Sequence, residues 1–104
     1  MTPAGPLTFE EHVRRALDSL PPELARGLEN VAVVIEDENR DEPDLLGLFQ
    51  EDEFLPAKIS IYRLPLEESF SGLELEREIR VTVLHELAHY FGIDEDRLAE
   101  LGYD

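Results

Sequence analysis

The chain has 104 residues, of which 42% are hydrophobic and 33% are charged, and it contains no cysteine. A chain of this length predicts one domain, residues 1–104, with a core of modest size. The lack of cysteine excludes a disulfide framework, a thiolate metal ligand and a cysteine nucleophile. The formal net charge of −16 makes nucleic acid and anionic membranes unfavourable partners, since both would be repelled.

The same composition bears on location. No apolar run in the sequence approaches the roughly 20 residues that a membrane-spanning helix needs. The first residues also lack the basic segment and apolar stretch of a secretion signal. We therefore expect a cytoplasmic protein without a membrane anchor.

The first predicted helix covers about residues 8–20. Thr8 and Glu11 have the spacing of a capping box. Apolar side chains then recur at helical spacing: Phe9, Val13, Ala16, Leu17 and Leu20. A Pro-Pro pair ends this helix, and a short second helix is predicted within 22–29. His12 lies opposite the apolar stripe, which predicts a surface position.

Three segments have the pattern of strands. Residues 31–35 form a β-branched run and predict a buried strand. Residues 45–49 predict a short strand, bounded by acids. Residues 58–64 alternate in polarity and predict a strand that ends at Pro65. A loop is expected over 66–71.

The C-terminal third predicts a long helix. A second capping box at 71–74 opens it, and it covers about 72–91. Gly92 is suited to end it in a left-handed conformation. Asp94 has the character of an N-cap and predicts a last short helix over about 95–101.

The long helix carries the chemically informative residues. Its second half is apolar on nearly every side, except for one polar sector that contains Thr82, His85, Glu86 and His89. His85 and His89 are spaced i, i+4, so both imidazoles project from one face and can reach one tetrahedral zinc at about 2.0–2.1 Å. Glu86 lies about 100° further round the helix. It is therefore placed to act on a zinc-activated water as general base, and not as a ligand.

A structural alternative accounts for the same residues. Two histidines on a buried helix can be hydrogen-bonded core residues, with Glu86 as a partner. Two observations favour metal binding. The chain has only three histidines, and two of them fall at this spacing. The polar sector also interrupts the most apolar stretch, where unpaired polar groups are costly.

The segment from His85 to Glu95, HELAHYFGIDE, resembles the extended zincin pattern His-Glu-x-x-His-x-x-Gly-x-x-Asp. The chain as a whole resembles the minimal zincin family of small bacterial metallopeptidases, densely over 78–103 and more loosely over 45–64. The resemblance implies an α+β zincin-like fold, with a small mixed β-sheet packed on the long C-terminal motif helix. It also implies Zn²⁺ held by His85 and His89, with Glu86 as the catalytic base.

The resemblance places the third zinc ligand at Glu95. The sequence departs from the pattern there, because the family has Asp at that place and the Glu side chain is one methylene longer. Asp94 and Asp96 flank it and are alternative ligands. Acids in the first turn of a helix are also expected from capping and from the helix dipole alone.

The implied activity is zinc-dependent hydrolysis of peptide bonds in a peptide or protein substrate. By analogy with zincins, the strand near 45–49 would be the sheet edge that pairs with the substrate. Four side chains are candidate oxyanion donors, although ordinary packing also explains each: Tyr62, Tyr90, Arg97 and Tyr103. The rival hypothesis is an inert zincin-like binding or scaffold domain with weak metal binding or none. The sequence specifies no oligomeric state.

Overall fold

The computed structural model describes residues 7–100, apart from the side chain of Glu95. Five α-helices, a 3₁₀ turn and three strands follow one another within this part of the chain. In chain order they are α1 (Phe9–Asp18), α2 (Pro22–Gly27), the 3₁₀ turn (Leu28–Asn30), β1 (Val31–Glu36), β2 (Gly47–Gln50), β3 (Ala57–Tyr62), α3 (Arg63–Ser69), α4 (Gly72–Phe91) and α5 (Glu95–Glu100).

The three strands form one mixed sheet in the order β1-β3-β2. β1 runs parallel to β3, with Val31 opposite Ala57, and β2 runs antiparallel to β3, with Gly47 opposite Ile61. The predicted small mixed sheet is therefore confirmed. The prediction that β1 is a buried strand is wrong, because β1 lies at an edge and its side chains are half-buried or exposed. The central strand β3 is the buried one.

α4 lies at the centre of the molecule. It packs against β2 and β3 on one side and against α1, α2 and α3 elsewhere. Six of its side chains are buried: Leu75, Ile79, Val83, Leu84, Leu87 and Ala88. The predicted α+β arrangement, with a small sheet packed on a long C-terminal helix, is confirmed. None of the helices within residues 7–100 is long and apolar enough to cross a bilayer.

The N-terminal capping box is present as predicted. Glu11 N donates to Thr8 Oγ1 at 3.2 Å, and Thr8 N donates to Glu11 Oε1 at 2.9 Å. The predicted surface position of His12 is wrong, since only 7% of this residue is exposed. α1 packs against α4, and the His12 Nδ1 atom lies 3.1 Å from Glu76 Oε2.

The end of β3 differs from the prediction. The strand ends at Tyr62, and Arg63–Ser69 forms the helix α3 where the end of the strand and a loop were predicted. Pro65 was expected to end a strand, but it is the third residue of this helix. The first turn of a helix does not use its N–H groups in intrahelical bonds, so proline is accepted there.

The two ends of α4 behave differently. The predicted cap at Ser71 is wrong, because its side chain makes no cap hydrogen bond. The first helical residue, Gly72, has a φ of 58°, so the chain does not enter the helix along the path that capping requires. Gly92 ends α4 with a φ of 68°, as predicted. Asp94 Oδ1 then accepts a hydrogen bond from Arg97 N at 2.9 Å and caps α5, also as predicted.

Candidate functional site

The predicted metal-binding pair lies in the last two turns of α4. His85 is half-buried and His89 is exposed. Within residues 7–100, neither imidazole has a hydrogen-bond partner on a described side chain or backbone group. This contradicts the structural alternative, in which both rings would be bonded in the core. Two accessible imidazoles with unengaged nitrogens, one turn apart on one helix, fit the first two positions of a zinc site.

The third predicted ligand lies beyond what the structure describes. Glu95 is the first residue of α5, but its side chain is outside the described set. Among the side chains that are described, no three His, Cys, Asp or Glu residues cluster in a way that could hold a metal ion. Of the alternative ligands, Asp94 is engaged in capping α5 and Asp96 is exposed. The assignment of Glu95 stays a prediction.

Glu86 is half-buried and contacts the sheet. Its Oε1 atom accepts a hydrogen bond from the backbone N–H of Phe49 in β2, with a length of 2.9 Å. This contact connects the middle of the motif to strand backbone. The predicted general base is thus held beside the two imidazoles with a defined orientation.

β2 directs half of its backbone groups away from the sheet. Tyr62 N donates to Leu46 O at 3.0 Å, in line with the antiparallel pairing of β2 and β3. Because hydrogen-bonded residues alternate along an antiparallel pair, Gly47 and Phe49 direct their N–H and C=O groups outward. No other described strand pairs with this edge. The Phe49 N–H that bonds Glu86 belongs to this open edge.

Three side chains at one-turn intervals on α4 form a face that receives β2: Thr82, Glu86 and Tyr90. Gly47 lies over Thr82, since a Cβ at Gly47 would be 2.5 Å from Thr82 Cγ2. Phe49 bonds Glu86 through its N–H and packs its ring against Tyr90, with the ring centroids 4.7 Å apart. We call these three residues the strand-docking face of α4.

The candidate oxyanion donors have other contacts. The four are Tyr62, Tyr90, Arg97 and Tyr103, and Tyr103 lies outside the described residues. The Tyr62 hydroxyl is engaged with Asn39 Nδ2 at 3.1 Å. Arg97 pairs with Glu100 at 3.0 Å. Tyr90 is 45% exposed and its ring packs on β2.

Two contributions from β2 escape a reading of side chains. The N–H of Phe49 is a backbone group, so no residue type signals it. Gly47 does carry a signal, because glycine inside a strand often marks a close backbone approach. Thr82 was identified with the polar sector of the helix, but its contact with the strand depends on tertiary packing.

A family model described as a zincin-like metallopeptidase matches residues 28–103. The chain therefore belongs to the zincin-like metallopeptidase family, which confirms the resemblance found in the sequence. No curated protein matches the chain. Among solved structures, it is similar to a conserved hypothetical protein from a Thermus-type bacterium, printed as "Thermo thermophilus", with 28% identity over 92% of this chain and 96% of that chain and a TM-score of 0.55. That description names no activity, so the likeness supports the fold.

Proposed function

We propose that this protein is a zinc-dependent metallopeptidase in which His85, His89 and Glu95 bind Zn²⁺ and Glu86 is the general base. The observation that carries the proposal is the position of Glu86. Its carboxylate contacts the open edge of β2 and adjoins two imidazoles that lack described partners. A metal-binding pair, a base and a free strand edge are the parts that peptide hydrolysis on a zincin fold requires.

When bound, zinc supplies Lewis acidity and lowers the pKa of water toward about 7. The chain's own contribution is the placing of the base. Oε1 of Glu86 accepts the Phe49 N–H, whereas Oε2 has no hydrogen bond to a described residue. Oε2 is therefore the oxygen that takes the proton from water and later delivers it to the leaving amine.

The open edge of β2 determines how a peptide substrate would bind. In an antiparallel pair, a substrate residue opposite Phe49 donates its N–H to the Phe49 carbonyl and offers its own carbonyl to the Phe49 N–H. Glu86 already occupies that N–H. The substrate carbonyl is thus left unpaired next to the base, so we infer that the peptide bond after this residue is cut. The residue two positions further toward the substrate C-terminus pairs with Gly47.

Charge around the edge favours basic substrates. Glu51, Asp52 and Glu53 follow β2 directly and are exposed. Because the substrate runs antiparallel to β2, these acids lie along its N-terminal part. Complementary charge mainly steers encounter and selects partners. We therefore expect peptides with Lys or Arg on the N-terminal side of the cleaved bond to be preferred.

The experiment measures zinc content and peptide cleavage in three proteins purified without a chelator or a metal-affinity tag. Wild type should contain about one zinc per chain and cleave basic peptides. Glu86→Gln should keep its zinc and lose about 10²-fold or more in turnover, because the amide cannot accept the proton. His89→Ala should lose both zinc and activity. Equal zinc content in wild type and His89→Ala would refute the metal assignment.

The second candidate function is a binding domain without catalysis. Two of the candidate oxyanion donors, Tyr62 and Arg97, are engaged elsewhere, and this observation favours the second candidate. In that case zinc-loaded wild type would cleave no peptide of basic, apolar or acidic composition. A basic peptide would still bind, and Glu86→Gln would not alter its affinity.

A further inference from the structure

Gly47 is the point at which β2 comes closest to α4. A Cβ at this position would lie 2.5 Å from Thr82 Cγ2 and 3.2 Å from Ser60 O. The first distance is far below the 3.5–4.0 Å at which carbon atoms ordinarily rest, as a rough guide. The only described glycines with a positive φ are Gly72 and Gly92. The steric contact, and not backbone conformation, is therefore what requires glycine at position 47.

This contact is mechanically linked to the base. Thr82 lies one helical turn before Glu86 on the strand-docking face, and Gly47 lies two residues before Phe49 on the outward side of β2. A strand lifted away from Thr82 carries the Phe49 N–H away from Glu86. That hydrogen bond is 2.9 Å long, and such bonds lose their geometry within a few tenths of an ångström.

We propose that Gly47 is a positioning residue for Glu86. Its missing side chain lets β2 rest directly on Thr82, and this seat places the Phe49 N–H on the Glu86 carboxylate. The catalytic part of the inference rests on the proposed peptidase function. The structural part concerns the distance between two elements and can be measured without any activity.

The structural test follows the Phe49 amide by NMR in ¹⁵N-labelled, zinc-loaded protein. Gly47→Ala should move the Phe49 amide proton shift toward its value in Glu86→Ala and should speed its hydrogen exchange. Adding Thr82→Ala, which removes Cγ2, should return both quantities toward wild type. Adding Thr82→Val should not, because valine keeps a methyl group against the strand.

The catalytic test uses the same variants. Gly47→Ala should lower kcat/KM by about 10- to 100-fold, as misplacement of a catalytic group by an ångström does. The Gly47→Ala/Thr82→Ala double variant should regain most of this loss. Zinc content should be equal in all of them, because the imidazoles are untouched.

Gly27→Ala is the matched control. Its added Cβ would also meet α4 at 2.5 Å, but the atom there is Cε2 of Phe91. That ring is 47% exposed and can rotate away. This variant should leave the Phe49 amide and kcat/KM unchanged.

The positioning role is overturned if the Phe49 amide of Gly47→Ala matches wild type while that of Glu86→Ala moves. It is also overturned if Thr82→Val rescues as well as Thr82→Ala. If Gly47→Ala does not fold, the double variant decides. A folded double variant with the wild-type Phe49 signal supports the inference, and an unfolded one refutes it. Wild type that cleaves no peptide refutes the proposed function, while the amide measurements still decide the positioning role.

Discussion

At the scale of single residues, the acids that open α5 differ in what they can offer a metal. Asp94 uses its carboxylate to cap the helix through Arg97 N. Asp96 is exposed. Glu95 stands at the position that the zincin pattern assigns to the third ligand. A side chain that holds a cap has less freedom to bind zinc, so the two uncapped acids are the ones to compare.

Glu95→Ala should weaken zinc binding by at least about 10-fold, since even groups that only orient ligands contribute 10- to 100-fold. Competition with a chromophoric zinc chelator measures the affinity. Asp96→Ala is the control and should bind zinc as wild type does. A loss of affinity in Asp96→Ala together with normal binding in Glu95→Ala would transfer the ligand role to Asp96.

Residue spacing predicted the His85, Glu86 and His89 constellation, because a helical repeat translates directly into a shared face. It could not predict what holds Glu86. The donor is a backbone N–H from a strand 37 residues away in the chain, and no side chain identifies it. His12 was misjudged for a related reason, since the polar partner that lets it be buried, Glu76, lies on another helix.

At the scale of elements, α1 and α4 are joined by one buried polar contact. Glu76 lies 3.1 Å from both His12 Nδ1 and Arg15 Nε, and its side chain is 17% exposed. Burial raises the pKa of Glu76, but the His12 hydrogen bond and the charge of Arg15 outweigh it. The pKa of this carboxyl is therefore below its ordinary value of 4.5.

A lowered folded-state pKa means that this contact stabilises the protein above about pH 4.5 and that the contribution is lost as pH falls below it. Glu76→Gln removes the titrating group. Between pH 7 and the acid range, its free energy of unfolding should therefore fall less than that of wild type. Urea denaturation of chelator-treated protein measures the difference.

Glu74→Gln is the matched control, because Glu74 is exposed on the same helix. It corrects for the change in net charge. If the acid loss of stability in Glu76→Gln equals that of wild type and of Glu74→Gln, the α1–α4 contact does not contribute to the pH dependence.

Elements were predictable where one pattern dominated and were missed where two competed. α4 has apolar spacing over its whole length and ends at a left-handed glycine, so its bounds agree with the prediction. At the end of β3, alternation continued through Leu64 while the backbone had already turned into α3. Periodicity alone does not separate the last residues of a strand from the first turn of a helix.

At the scale of the whole molecule, the net charge of −16 acts on stability. Like charges on a chain of this size repel one another in the compact state, and salt screens that repulsion. Raising sodium chloride from about 10 mM to about 300 mM shortens the Debye length from about 30 Å to about 6 Å. The melting temperature of chelator-treated protein should therefore rise, as followed by circular dichroism.

A neutral osmolyte at the same osmolarity provides the comparison, because it changes solvation without screening charge. A melting temperature that falls with salt would mean that local ion pairs such as Arg63 with Asp37 outweigh the global repulsion. A rise of equal size with the osmolyte would show that screening is not the cause.

The open edge of β2 also has a consequence for self-association. An edge that accepts a substrate strand would equally accept the same edge of a second copy, which is a common route to aggregation. Here the exposed strand has only four residues, and one of its outward N–H groups is occupied by Glu86. Two such edges brought together would also align Glu51, Asp52 and Glu53 of each copy against acidic surroundings. The features that make this edge selective for basic peptides therefore also keep copies of the protein apart.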